Sequence, residues 1–152
     1  MRGSCYEIPA SFTYGIDMKR KIVTVELVDD FLKTWNETAE WPINRGDINY
    51  GMCYQMAVLL RKLHGSKAIL WYDAEHCWVE VNGKHYDTDF PDGTTLDTMS
   101  KDDLCPRRSR TIKHVCEHWA TGGSGPVRHD VIEAILEKQG FKRRNNRNRK
   151  AA

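Results

Sequence analysis

The sequence predicts an α+β fold in which one helix, carrying Cys53, packs across a small antiparallel sheet, and three features of its pattern lead there. Met52, Met56, Leu59, Leu60 and Leu63 recur at the spacing of one buried helical stripe. Glu75 to Val81 alternates like a strand and runs into Asn82-Gly83, the dipeptide best suited to a two-residue type I′ hairpin turn. Helix, short apolar strand and hairpin follow one another in that order, which sets the helix on one side of a sheet.

The 152 residues, 40% of them hydrophobic, suffice for one core but hardly for two. Residues 1 to 141 are therefore expected to form a single domain. Residues 1 to 19 show no clear period and are read as an arm over the core, without regular structure. Lys21 to Val28 alternates, with Val23, Val25 and Leu27 on one face, and is predicted to be a strand. A helix is expected next, capped by Asp29 or Asp30 and burying Phe31, Leu32 and Trp35. Trp41-Pro42 breaks it, because a residue before proline is pushed out of the helical region. Asn44 to Gly51 holds two glycines, two asparagines and an aspartate and is predicted to be an irregular loop, with Arg45-Gly46-Asp47 as turn chemistry.

The Cys53 helix then runs to a stop at Gly65, and Ala68 to Tyr72 forms a short apolar strand. The hairpin returns over Lys84 to Phe90 and ends in a Pro91-Asp92-Gly93 turn. Beyond it the pattern gives a short helix capped by Ser100, a strand at Thr111 to Trp119, a linker over Gly122 to Gly125 and a last helix from Val127 to Gln139. Residues 142 to 152 are a basic tail, expected to be disordered. Its six cations, Lys142, Arg143, Arg144, Arg147, Arg149 and Lys150, taken from the net charge of +2, leave the rest of the chain at −4.

No apolar run approaches the ~20 residues of a membrane helix, and Met1 to Ala10 lacks the layout of a secretory signal. The five cysteines are irregularly spaced and form no CxxC pair, which predicts free thiols in a reducing compartment and a cytoplasmic location. Cys105, His114, Cys116 and His118 hold zinc-type side chains, and residues 114, 116 and 118 would share a strand face. Their spacing matches no standard finger, so neither a metal nor a cofactor is expected.

A cysteine attacks carbonyls as a thiolate and needs both a stabilised anion and a base. Cys53 falls in the first turn of its helix, where unpaired N–H groups and the dipole favour an anion, and its own N–H is a candidate oxyanion donor. Asn49 and Tyr50, just upstream, are candidates for a second donor. The hairpin supplies the base. With Asn82-Gly83 as the turn, Val81 faces Lys84, Trp78 faces Asp87 and His76 faces Asp89. Alternation then puts His76, Trp78, Glu80, His85, Asp87 and Asp89 on one face, and Cys77, Val79 and Val81 on the other. The polar set is expected to meet the start of the Cys53 helix. His85 is read as a solvated strand histidine, and either Asp87 or Asp89 can orient His76.

These residues resemble the transglutaminase-like superfamily of papain-like cysteine enzymes. That family has a Gly-x-Cys helix start, a strand reading His-x-Trp-x-Glu, a tight turn, and a strand bearing the triad aspartate. The matching residues are Gly51-Met52-Cys53, His76-Cys77-Trp78-Val79-Glu80, Asn82-Gly83 and Tyr86-Asp87, within about residues 48 to 90. The resemblance implies a triad of Cys53, His76 and Asp87, and selects Asp87 over Asp89. It implies attack on an amide or ester carbonyl and a thioester intermediate. Trp78 is read as packing for the site and Glu80 as a hydrogen-bond partner, both structural supports, and the first expectation for the substrate is a protein or peptide.

Two other functions fit the same residues. A non-catalytic protein-binding module or inhibitor would keep the scaffold and leave Cys53 inert. Weak contact with nucleic acid or an anionic surface through the tail would be strongly salt-dependent, and the tail has no aromatic residue for base stacking.

Overall fold

A computed structural model of the chain describes residues 21–38, 41–109, 111–119 and 125–141. The first helix, α1 (Val25–Thr38), begins inside the stretch predicted to be a strand. Thr24 overrules the alternation: its Oγ1 accepts the Leu27 N–H at 3.0 Å, a helix cap placed five residues earlier than Asp29. The buried set is then Leu27, Val28, Phe31, Thr34 and Trp35, a helical stripe, and Val25 is left 64% exposed.

The segment predicted to be a loop before Cys53 contains a short helix, α2 (Arg45–Asn49). Asn44 accepts the Asp47 N–H at 3.2 Å, and the Asp47 carboxylate takes the Asn44 N–H at 2.8 Å. This reciprocal box stabilises a single turn that composition alone reads as irregular. α3 (Cys53–His64) follows with Gly65 as its C-cap, and a 3-10 turn (Gly65–Lys67) leads into the sheet.

Four strands, β1 (Ile69–Tyr72), β2 (Cys77–Val81), β3 (Lys84–Tyr86) and β4 (Arg107–Ser109), form an antiparallel sheet in the order β3-β2-β1-β4. Asn82 and Gly83 have φ of +51° and +79°, the pair of positive values that a type I′ turn requires. Val81 faces Lys84, Glu80 faces His85 and Val79 faces Tyr86, in the expected register. Pairing ends there, so the pairs expected between Trp78 and Asp87 and between His76 and Asp89 do not form. The cause is local. Asp87 Oδ1 accepts the N–H groups of Asp89 and Phe90 at 2.9 and 2.8 Å, and the chain turns away.

Three further segments differ from expectation. The short helix α4 (Leu96–Met99) is capped by Thr95, whereas Ser100 sits at its other end. β4 lies upstream of the predicted strand, and Thr111 to Trp119 is instead mostly helix, α5 (Ile112–Trp119). Thr111 Oγ1 caps α5 by accepting the His114 N–H at 3.2 Å, and Ile112 and Val115 turn inward at helical spacing. The last helix, α6 (His129–Lys138), falls within its expected span and packs on α1. The predicted arm, the residues 122 to 124 of the linker and the basic tail lie outside the described residues.

One hydrophobic cluster joins α1, α3, β1, β2, α5 and α6. α3 lies on the sheet face that carries Leu70, Cys77, Val79 and Val81. The opposite face carries Trp71, Trp78, Glu80 and His85, all buried. The polar set predicted to meet α3 as one face is therefore divided. Trp78, Glu80 and His85 face away from the helix, while His76 and Asp87 lie just beyond the paired strands. Among the described residues no helix is long and apolar enough to cross a membrane.

Candidate active site

β2 begins where α3 begins, and this juncture assembles the site. The thiol of Cys53 stands at the first position of α3, whose N-cap Met52 offers no side-chain acceptor. Cys53 thus stands in the first turn of α3, the end of a helix where the dipole favours an anion. Gly51, two residues earlier, has φ of +112°, a conformation that strains any residue with a Cβ.

His76 comes from the loop that joins β1 to β2. Its Nε2 lies 2.9 Å from Asp87 Oδ2, the Cys53 side chain is near enough to act on its charge, and its ring lies parallel to the Trp78 indole at 5.6 Å. Burial opposes a charge on this ring. The hydrogen bond to Asp87 and the influence of neighbouring Cys53 override it and push the His76 pKa from 6.5 to about 10.

Asp87 is 6% exposed, and both its oxygens are engaged. Oδ1 takes the two backbone N–H groups of its turn, while Oδ2 takes His76 and, at 3.2 Å, the Asn49 amide. Asn49 is thereby a support of the carboxylate. α2 carries it there, helped by Arg45, whose guanidinium donates to the Thr88 carbonyl at 3.4 Å. Sequence reasoning missed this helix, and the Asn44-x-x-Asp47 capping spacing is the signal that finds it.

An open cleft of about 660 Å³ fronts the pair, lined by Asn49, Tyr50, Gly51, Glu75, His76, Asp87 and Asp89. Tyr50 is 86% exposed on its rim. Cys53 is only 3% exposed and does not itself line the cleft, which its neighbours in sequence, Tyr50 and Gly51, do. Asp89 turns an exposed side chain to the cleft and does not orient His76. Glu80 lies away from Cys53, His76 and Asp87. Its carboxylate accepts the Trp71 indole N–H at 2.8 Å and pairs with Arg108 at 3.4 Å.

His85 differs from its reading as a solvated residue. It is 5% exposed and accepts the Trp78 indole N–H on Nδ1 at 2.9 Å, so that nitrogen carries no proton. The zinc-type set also changes, because residues 114 and 116 lie on a helix, where alternate positions do not share a face. His114 hydrogen-bonds the Tyr72 hydroxyl at 2.9 Å, and Cys105 is exposed. Among the described residues no group of His, Cys, Asp and Glu is placed to hold a metal ion.

Compared with family models, curated proteins and solved structures, the chain matches none.

Proposed function

We propose that this chain is a cysteine hydrolase or acyltransferase that acts on an amide bond of a protein or peptide. The observation that carries the reading is His76, whose Nε2 lies 2.9 Å from the Asp87 carboxylate and whose affinity for a proton is raised by Asp87 and by the neighbouring Cys53. A protonated His76 beside Cys53 holds the proton that a leaving amine needs.

The chemistry follows. The Cys53 thiolate adds to the substrate carbonyl carbon, and the oxygen takes the electron pair as an oxyanion beside the start of α3. As the oxyanion collapses, the C–N bond breaks and His76 gives its proton to the departing amine. The acyl group stays on sulfur as a thioester. Water or an amine then attacks the thioester, gives its proton to His76 and releases the thiolate. Asp87 holds the imidazole in one orientation and stabilises its charged form throughout.

An activated ester, p-nitrophenyl acetate, tests this when intact protein and peptides are followed by mass spectrometry. Acetylation is expected at Cys53 ahead of the exposed Cys105, to be lost in Cys53→Ala and to slow sharply in His76→Ala. Acetylation spread over the thiols without preference, and unaffected by His76→Ala, would contradict it. The rival reading, a binding module or inhibitor on the same scaffold, draws on the 3% exposure of Cys53. That reading predicts the second outcome.

A further inference from the structure

The two loops that hold His76 and Asp87 are built alike. In each, a buried aspartate gives one oxygen to two N–H groups of its own loop and the other to a side chain from elsewhere. Asp87 does this for its own turn. Asp73 does it for the loop that carries His76. Its Oδ1 accepts the N–H groups of Glu75 and His76 at 2.7 and 2.6 Å, and its Oδ2 takes the Ser100 hydroxyl at 2.6 Å.

Asp73 is 2% exposed and Ser100 6%. The loop closes with the Asp73 N–H on the His76 carbonyl at 2.9 Å, and the Ala74 N–H reaches the Leu104 carbonyl at 3.1 Å. The backbone of His76 is thus fixed from one side by Asp73, and Asp73 is fixed by the segment after α4. Neither residue touches the cleft lined by His76 and Asp87.

We propose that Asp73 and Ser100 are positioning residues for His76, setting its backbone so that the imidazole spans Cys53 and Asp87. The proposal rests on the catalytic reading for its purpose, and on the loop geometry alone for its first test. An imidazole on a loop freed to shift keeps its chemistry and loses its alignment, and misplacement by about 1 Å costs on the order of 100-fold in rate. Asp73→Asn keeps an oxygen for the two N–H groups and an amide that donates to the Ser100 hydroxyl. It preserves the shape and removes the charge.

The test is the titration of His76, followed by NMR in the full chain labelled with ¹⁵N-histidine, alongside the rate of Cys53 alkylation at pH 7. In Asp73→Ala the His76 titration is expected to move from about 10 toward 6.5. Alkylation is expected to slow by about tenfold to a hundredfold. Ser100→Ala, which removes only the tether, is expected to move both in the same direction and by less. Asp73→Asn is expected to restore both nearly to the unsubstituted protein. Should Asp73→Ala fail to fold, Ser100→Ala against Asp73→Asn carries the comparison.

Unchanged His76 titration in folded Asp73→Ala or Ser100→Ala would overturn the proposal. So would an Asp73→Asn protein as impaired as Asp73→Ala, since charge and not placement would then be at work. If Cys53 proves unselective in the unsubstituted protein while Asp73→Ala still shifts His76, the catalytic reading fails and the positioning role stands.

Discussion

His76 lies parallel to the Trp78 indole at 5.6 Å, whereas His85 takes that indole's N–H on its own Nδ1 at 2.9 Å. The two rings share a neighbour and both are largely enclosed, yet their affinities for a proton diverge. Burial lowers the His85 pKa below 6.5, and the opposing influences of Glu80, which raises it, and Arg108, which lowers it further, leave that direction unchanged. Burial acts in the same sense on His76, but the bond to Asp87 and the nearness of Cys53 reverse it and carry the pKa to about 10. An enclosed histidine is by default a neutral structural acceptor. A carboxylate bonded to the ring, with a cysteine beside it, reverses that default.

Substituting each histidine in turn is the hardest way to press this contrast. His76→Ala is expected to reduce Cys53 acylation by about 10²- to 10⁴-fold, the usual worth of a positioned acid-base group, as read by rates of thioester formation. His85→Ala is expected to leave that rate nearly unchanged. It strands the buried Trp78 N–H and costs about 1–3 kcal/mol of stability, measured by urea denaturation.

Stability against pH sharpens the contrast by its sign. His76 has its pKa raised on folding, so its contribution is complete below pH 6.5 and is lost as pH rises toward about 10. His85 has its pKa lowered, so the unfolded chain takes up the proton first and stability falls as pH drops below 6.5. Urea midpoints across pH are expected to show the acid-side slope flattened in His85→Gln and the alkaline-side slope flattened in His76→Gln.

The smallest effects concern the neighbours of His85. Glu80→Gln is expected to lower the His85 pKa further, and Arg108→Ala to raise it, as followed by NMR. The Arg108 side chain is 62% exposed, so loss of its pair with Glu80 is expected to cost less than about 1 kcal/mol.

What could be read from the sequence was the part governed by local chemistry. The α3 helix, the Asn82-Gly83 turn and the first pairs beside it rest on neighbours a few residues apart and are found as expected, although α3 is buried on every side from Cys53 to Leu60 and not along one stripe. Cys53 and His76 were nameable because each stands beside such a feature, whereas Asp87 was chosen over Asp89 only through the family resemblance. The failures arose where a cap or a turn overrode periodicity. Thr24 and Thr111 start helices across alternating stretches, and Asp87 ends the hairpin before the register reaches it. The burial of His85 was hidden because it depends on Trp78 and Trp71 from two other strands. Asp73 and Ser100 meet across 27 positions of sequence, a pairing that no local pattern announces.

The most direct test of the account is the pH dependence of Cys53 alkylation by iodoacetamide, resolved by peptide mass spectrometry against the exposed Cys105. The account predicts that Cys53, though 3% exposed, reacts faster than Cys105 at pH 7, and that His76→Ala and Asp87→Ala abolish the advantage. Labelling of Cys53 slower than Cys105 at every pH, and indifferent to both substitutions, would contradict it.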